Sequence, residues 1–207
     1  MWGVAIVALV VAGWVAVRLE GQMRPRPMPA RFERFFLNNP FRRWWFGPQH
    51  VLKALGPLAG LQVAEVGVGT GVVLEALSRA VGPSGRTYGI DIQPQAVAMA
   101  SQRLASRSLS AELAVARATE LPWPSHSLDR VVMVAVFGEI PPYDRPRALA
   151  EVRRVLSPAG LLAITEFWPD PHYQPRERLV PYLEKNGWRV ERVVGNAAIY
   201  TALARPN

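Results

Sequence analysis

The chain has 207 residues, 50% of them hydrophobic and 19% charged, with a formal net charge of +8 and no cysteine. This suits one domain with a full core plus a short appendage, and excludes a disordered chain, a collagen and a coiled coil. Lack of cysteine excludes a disulfide scaffold, a cysteine nucleophile and a thiolate metal site.

The charge is unevenly placed. Residues 1–50 hold seven Arg and two acids, a net +5, whereas residues 51–207 hold seventeen basic and fourteen acidic residues, a net +3. From Trp2 to Val17 there is no charged or strongly polar side chain. As a helix, such a run reaches about 25 Å, near the lower limit for crossing a bilayer core. Residues 1–18 are therefore expected to form one transmembrane helix, with a helix packed on the domain as the alternative. A secretory signal fits less well, because no basic stretch precedes the run and no small-residue cleavage site follows it. Arg18, Arg24, Arg26, Arg31 and Arg34 all follow the run. By the positive-inside rule this places the remainder in the cytoplasm, giving a single-pass cell-membrane protein.

Residues 19–47 read as a Pro- and Arg-rich linker followed by an aromatic–basic helix. Positions 31–47 contain eight large apolar residues and four Arg. Rings of this kind settle at headgroup depth while Arg meets phosphate, so the helix is expected at the membrane interface, or packed against the domain, or both.

From residue 48 to 207 strands and helices alternate. Strands are expected at 61–66, 86–92, 111–116, 130–137 and 160–167. Helices are expected at 70–81, from Pro94 onward, at 145–156 with Asp144 as N-cap, and at 175–186 with a kink at Pro181 and a stop at Gly187. Two last strands, 190–194 and 199–204, flank Gly195-Asn196 as a hairpin. Repeated strand–helix units imply an α/β, Rossmann-like doubly wound sheet of seven strands, closed by an antiparallel hairpin.

The most informative stretch is Val63-Ala-Glu-Val-Gly-Val-Gly-Thr-Gly71, which leaves a strand and opens a helix. Glycines there permit a tight turn and close approach of backbone to a ligand. Asp91 stands twenty residues beyond Gly71, at the end of the next strand, where a carboxylate can accept from both ribose hydroxyls. The spacing is G-x-G-x-G, unlike the G-x-G-x-x-G of dinucleotide binders, and the Glu65 carboxylate would repel a pyrophosphate but attract an amino group. No Gly-Lys-Ser/Thr element for nucleoside triphosphates is present.

In these residues the chain resembles the class I S-adenosylmethionine-dependent methyltransferases, in particular the branch with quinone-biosynthesis and phospholipid N-methyltransferases. Four motifs carry the resemblance in order across residues 48–204: Glu65–Gly71, Gly89–Ile92, Ala118–Pro124 with Ser127-Leu-Asp129, and Arg153–Gly160. The resemblance implies S-adenosylmethionine as cofactor and gives each matching residue a role. Glu65 with Gly67, Gly69 and Gly71 would hold the methionine moiety. Asp91 would hold the ribose and Ile92 would pack on adenine. Ala118 would offer its N–H to the adenine ring beside Thr119, and Val136 and Phe137 would lie under the cofactor. Two positions depart from the pattern. Arg117 replaces an Asp that accepts from the adenine amino group, which Arg cannot do. Ala159 replaces the first glycine of the Pro-Gly-Gly turn.

Methyl transfer from a sulfonium needs alignment and exclusion of water, and no metal. None of His50, His126 and His172 sits in a metal-ligand spacing. A base is needed where the acceptor loses a proton. Glu139, past the fourth strand, and Asp170, His172 and Tyr173, past the fifth, are the expected acceptor-site residues, with Glu139 and His172 as the catalytic candidates. Ile140-Pro-Pro-Tyr143 is similar to the loop of amino-group methyltransferases acting on nucleic acid or protein, but Ile140 replaces the polar residue that would accept from the amine. Turn and helix-start prolines are the simpler reading.

Together these features predict a membrane-associated methyltransferase acting on a lipidic or amphiphilic small molecule, either a phospholipid amine or a quinone precursor. Nucleic acid is not an expected partner, since residues 51–207 are only weakly basic. The alternatives are an RNA or protein methyltransferase, or a non-catalytic S-adenosylmethionine-binding scaffold. The acceptor atom and the oligomeric state are open at this level.

Overall fold

The structure is a computed structural model that describes residues 12, 13, 47–168 and 170–207. The expected membrane anchor (1–18) and the linker with its aromatic–basic helix (19–47) lie outside these residues, apart from positions 12, 13 and 47. Among the described residues no helix is long and apolar enough to cross a membrane.

Helix α1 (Gln49–Leu55) leads into β1 (Gln62–Val66), α2 (Val72–Val81), β2 (Arg86–Asp91), α3 (Pro94–Ala105) and β3 (Glu112–Val115). The second half contains β4 (Leu128–Val134), α4 (Arg145–Val155), β5 (Leu156–Phe167), α5 (Arg176–Lys185), β6 (Trp188–Gly195) and β7 (Ile199–Pro206). The seven strands form one sheet in the order β3-β2-β1-β4-β5-β7-β6. The first five are parallel, and β7 runs antiparallel between β5 and β6. The hairpin turn is closed by Asn196, whose Oδ1 accepts from the backbone N–H of Ala198 at 2.8 Å and Ile199 at 3.1 Å.

Alternation along the strands sends successive side chains to opposite faces. On one face Val63, Val132 and Ala163 pack with Val51 and Leu55 of α1 and Leu77 and Val81 of α2. On the other face Ala64, Val66, Val131 and Met133 pack with Leu149 and Val152 of α4 and Leu179 and Leu183 of α5. The sheet is thus covered on both sides, as a mostly parallel sheet requires. Strand order reverses between β1 and β4, and ligand sites in open α/β sheets lie at the carboxyl ends of strands at such a switch point.

Several boundaries differ from the expected ones. β4 spans Leu128–Val134, not 130–137, because Ala135 adopts a left-handed φ of 56° that stops the strand. β5 begins at Leu156, where Leu128 pairs with it across an irregularity in register, so the Ser157–Gly160 turn signals sit inside a strand pairing. Asp144 occupies the N-cap position of α4 but makes no side-chain capping bond; Pro146 lies in the first turn. Pro94 begins α3 as expected, and Pro181 lies inside α5.

Candidate active site

At the carboxyl edge a cleft of about 270 Å³ opens over the β1–β4 switch point. It is lined on one side by the loop after β1 and the end of β2, and on the other by the loops after β4 and β5.

The loop after β1 is held by backbone bonds. The N–H groups of Gly67 and Val68 both donate to the Ile90 carbonyl, at 2.8 and 3.0 Å, and Gly71 N–H donates to Val68 at 2.8 Å. Gly67, Gly69 and Gly71 all have positive φ, of 79°, 48° and 75°, a region that side chains disfavour. A Cβ on Gly67 would overlap the side chain of Val136, which forms the opposite wall. Gly71 serves a different end. A Cβ there would lie 2.8 Å from the Ala100 Cα, so this glycine permits α2 to start against α3, and it does not line the cleft.

Glu65, at the end of β1, is buried and faces the cleft. Thr70 is also buried there, and its Oγ1 has no hydrogen-bond partner among the described residues. Asp91 joins the two halves of this side. Its Oδ2 accepts from Gly69 N–H at 3.0 Å and its Oδ1 from Gln93 N–H at 2.9 Å. Each carboxylate oxygen retains further acceptor capacity for a ligand. Ile92 is 40% exposed and lies on the rim beside Arg117, Ala118 and Thr119, all of which line the cleft. A glycine cradle whose missing Cβ leaves room, an acceptor-only carboxylate at the base and an unsatisfied buried hydroxyl suit a nucleoside bearing an amino acid.

Across the cleft, the turn at Ala135 sends Val136 into the cavity and Phe137 away from it. Phe137 is fully buried: its ring meets Tyr182 edge-on at 5.8 Å and lies 5.3 Å under the Arg145 guanidinium. Its expected place beneath a cofactor is therefore corrected to the core. Glu139 does line the cleft, as do Asp144 and Asp170. His172 is buried behind them, with Nδ1 3.6 Å from Asp170 Oδ1 and 3.8 Å from Glu139 Oε1. Asp170 Oδ1 also accepts from the His172 N–H at 2.7 Å, which fixes the turn. His172 itself does not line the cleft, whereas Glu139 and Asp170 do. Tyr173 is corrected as well: it is buried in the core against Tyr200, and its hydroxyl donates to the Ala197 carbonyl at 2.9 Å. Tyr143 of the Pro-Pro-Tyr segment is 82% exposed, and Ile140 and Pro141 line the cleft in the turn that leads into α4.

A residue the sequence reading did not single out stands beneath this side. Glu166 of β5 is 1% exposed, and its Oε2 accepts from Gln174 N–H at 3.1 Å. Burial pushes its carboxyl well above the usual range, opposed by backbone hydrogen bonding and by the charge of Arg145. Burial likewise lowers the Arg145 guanidinium. Arg145 donates from Nε to the Ile140 carbonyl at 2.9 Å and from Nη2 to the Gly138 carbonyl at 3.0 Å. An acid inside an otherwise apolar strand gives no motif to read; the only signal was a charge between Thr165 and Phe167 in a buried run. Among the described residues no group of three or more His, Cys, Asp or Glu is placed to hold a metal ion.

Comparison with known proteins agrees with this geometry. Residues 63–160 match the family model described as methyltransferase domain. The chain is 38% identical over 108 residues to the ubiquinone/menaquinone biosynthesis C-methyltransferase UbiE of Bordetella avium, covering 52% of this chain and 41% of that protein. The UbiE of Cupriavidus metallidurans is 30% identical over 147 residues, covering 70% of this chain and 59% of the relative. The chain thus spans about half the length of these curated relatives. A crystal structure of a SAM-dependent methyltransferase from Aquifex aeolicus superposes with a TM-score of 0.78 at 28% identity, covering 86% of this chain and 98% of the other.

Proposed function

The chain belongs to the class I S-adenosylmethionine-dependent methyltransferases, and from that premise we propose that it is a membrane-associated enzyme methylating a lipidic or amphiphilic small molecule. When bound, S-adenosylmethionine supplies a methyl group activated by its sulfonium. Glu65 would attract the amino group of its methionine part, with Thr70 and the glycine-loop backbone beside it. Asp91 would accept from the ribose while it keeps the loop in place through Gly69. Ile92, Ala118 and Val136 supply apolar surface that excludes water from the nucleoside.

The acceptor side does the chemistry of the proton. Glu139 and Asp170 face the cleft and would receive the proton that a phenolic or ammonium acceptor gives up. His172 sits behind them, its Nδ1 3.6 Å from Asp170 Oδ1 and 3.8 Å from Glu139 Oε1. The activity named for these relatives, C-methylation in ubiquinone and menaquinone biosynthesis, favours a quinone precursor within the proposed acceptor class.

The single observation that carries the membrane reading is where the domain begins. Gly47 and Pro48 line the cleft, so the aromatic–basic segment that ends at residue 47 is covalently continuous with the cleft wall. A site whose lining begins where such a segment ends suits an acceptor that arrives from a bilayer, and the uncharged run with Arg on its C-terminal side suits a single-pass cell-membrane protein with a cytoplasmic catalytic domain. The test is incubation of host membranes carrying the full chain with methyl-labelled S-adenosylmethionine, followed by separation of lipid, RNA and protein. Label is expected in the lipid fraction. Label confined to RNA or protein contradicts the proposal, and label in no fraction despite cofactor binding points to a scaffold.

A further inference from the structure

Among the described residues four large hydrophobic side chains are exposed: Ile92, Val115, Tyr143 and Trp168. Single apolar residues on a surface are ordinary. The placement of these four is not. Ile92 follows the last residue of β2, and Val115 is the last residue of β3. Tyr143 lies between β4 and α4, and Trp168 follows the last residue of β5. Strands β1 to β5 are parallel, so all four stand at the carboxyl edge of the sheet, the edge that carries the cleft. The strand order puts Ile92 and Val115 on one flank of the β1–β4 switch point and Tyr143 and Trp168 on the other. At the amino edge the described residues expose Ser84, Arg86, Arg107 and Ser125, and no large hydrophobic side chain. Val115, Tyr143 and Trp168 do not line the cleft, so enclosure of a cofactor or acceptor does not account for their exposure.

We propose that the carboxyl edge of the catalytic domain is a membrane-docking face, with Tyr143 and Trp168 entering the interfacial layer of a phospholipid bilayer on one flank of the cleft and Ile92 and Val115 on the other. The chain outside the described residues identifies the occupant. Gly47 and Pro48 belong to the cleft wall. The sequence before them carries the uncharged run from Trp2 to Val17 and the rings and Arg of positions 31–46. A bilayer that holds that sequence is met first by the edge to which the sequence is joined. Tyr and Trp suit the depth, since their rings are apolar with a polar tip. Trp168 is held in place by its backbone N–H, which donates to the Ala198 carbonyl at 2.7 Å. Ala198 belongs to the β6–β7 turn, which lies at the same edge because Ile199 pairs with Phe167, and Ala197 and Ala198 are exposed there too. Arg117, exposed two residues beyond Val115, brings a guanidinium to meet lipid phosphate. The carboxylates Glu139, Asp144 and Asp170 line the cleft and are not among the exposed residues. In this orientation an acceptor passes from the bilayer into the cleft without crossing water.

The inference rests on the membrane reading proposed above and adds which face of the domain meets the lipid. The chain has no cysteine, so one introduced cysteine carries a spin label at a single known site. Full-chain Val115→Cys, Tyr143→Cys and Trp168→Cys are compared with Ser84→Cys and Ser125→Cys from the amino edge. Each is reconstituted into vesicles of phosphatidylethanolamine with a minority of phosphatidylglycerol. Collision of the label with oxygen, which concentrates in lipid, is read against collision with a water-soluble nickel chelate. The ratio should favour oxygen at the three carboxyl-edge sites by about fivefold or more over the two amino-edge sites. The double variant Tyr143→Ser with Trp168→Ser should bind S-adenosylhomocysteine within about twofold of the wild type and label vesicle lipid about fivefold or more slowly. A chain that floats with the vesicles while both edges meet the chelate equally overturns the docking face and leaves the membrane reading standing. Carboxyl-edge labels shielded from both reagents and broadened by one another show a contact between copies of the chain, and also overturn it. A chain that does not float removes the membrane reading and the docking face together. Carboxyl-edge labels in lipid with no methyl label in any lipid leave the docking face standing and remove the lipidic acceptor.

Discussion

Asp91 and Gly69 are joined by a 3.0 Å hydrogen bond from the Gly69 N–H to Asp91 Oδ2, which ties the end of β2 to the glycine loop of β1. The carboxylate proposed to hold the ribose would thus also be the bracket for the cradle in which the methionine part would lie. The proposed cofactor edge is one unit built from two strands.

This makes the Asp91 substitution informative. Asp91→Ala removes the acceptor for both Gly69 and Gln93. Charge-assisted bonds of this type contribute about 1.5–3 kcal/mol each, so S-adenosylmethionine affinity should drop by about tenfold or more. Calorimetric titration checks it, and unchanged affinity removes Asp91 from the site.

Phe137→Ala separates core from site. The ring is fully buried against Tyr182 and Arg145. Its removal should cost about 3–5 kcal/mol of stability, seen in denaturant unfolding, while the folded protein binds cofactor within about twofold of the wild type. A selective loss of cofactor affinity at unchanged stability would return Phe137 to the cleft.

Gly138→Ala should act on the opposite side. The added methyl overlaps the His172 carbonyl and must push the two acceptor-side loops apart. Methyl transfer should fall by about tenfold or more with cofactor affinity preserved. Transfer at the wild-type rate would mean that the loops can separate without consequence.

Glu166 predicts a pH dependence. Its carboxyl is raised by burial, so the folded state holds this proton more tightly than the unfolded chain. Below the ordinary carboxylate range both states are protonated and folding carries no penalty from it. As pH rises above that range the unfolded chain releases the proton first, and stability declines until the folded-state value is passed. Glu166→Gln abolishes this decline, so the variant's melting temperature should gain on the wild type between pH 5 and pH 8 (about 2–4 °C per kcal/mol for a domain of this size). Parallel pH profiles for the two proteins would show that Glu166 is ionised in the fold.

The strand–helix alternation, the glycine loop, Asp91 and the placement of Glu139 and Asp170 past their strands were legible in the sequence, because each follows from a local pattern that the fold repeats. What was not legible depends on contacts between distant segments. Ala135 carries no sequence signal for a left-handed backbone, yet its φ of 56° decides that Val136 meets the cleft and Phe137 the core. Gly71 reads like its neighbours in the loop, but its role is set by Ala100 on another helix. Tyr173 follows His172 by one residue and points to Tyr200, because a loop covering a sheet edge must bury one face. Glu166 stands out only once the fold buries it in β5 beneath the loop that carries Gln174.

The most direct measurement is transfer of label from methyl-labelled S-adenosylmethionine into lipid vesicles made from a host extract, comparing the full chain with its Glu65→Ala variant. Organic-phase label should appear with the wild type and fall by about tenfold or more with Glu65→Ala, since the buried carboxylate at the base of the cleft is proposed to attract the cofactor's amino group. Wild-type protein that binds the cofactor yet leaves the lipid unlabelled, or a Glu65→Ala variant that labels lipid as fast as the wild type, would contradict the account.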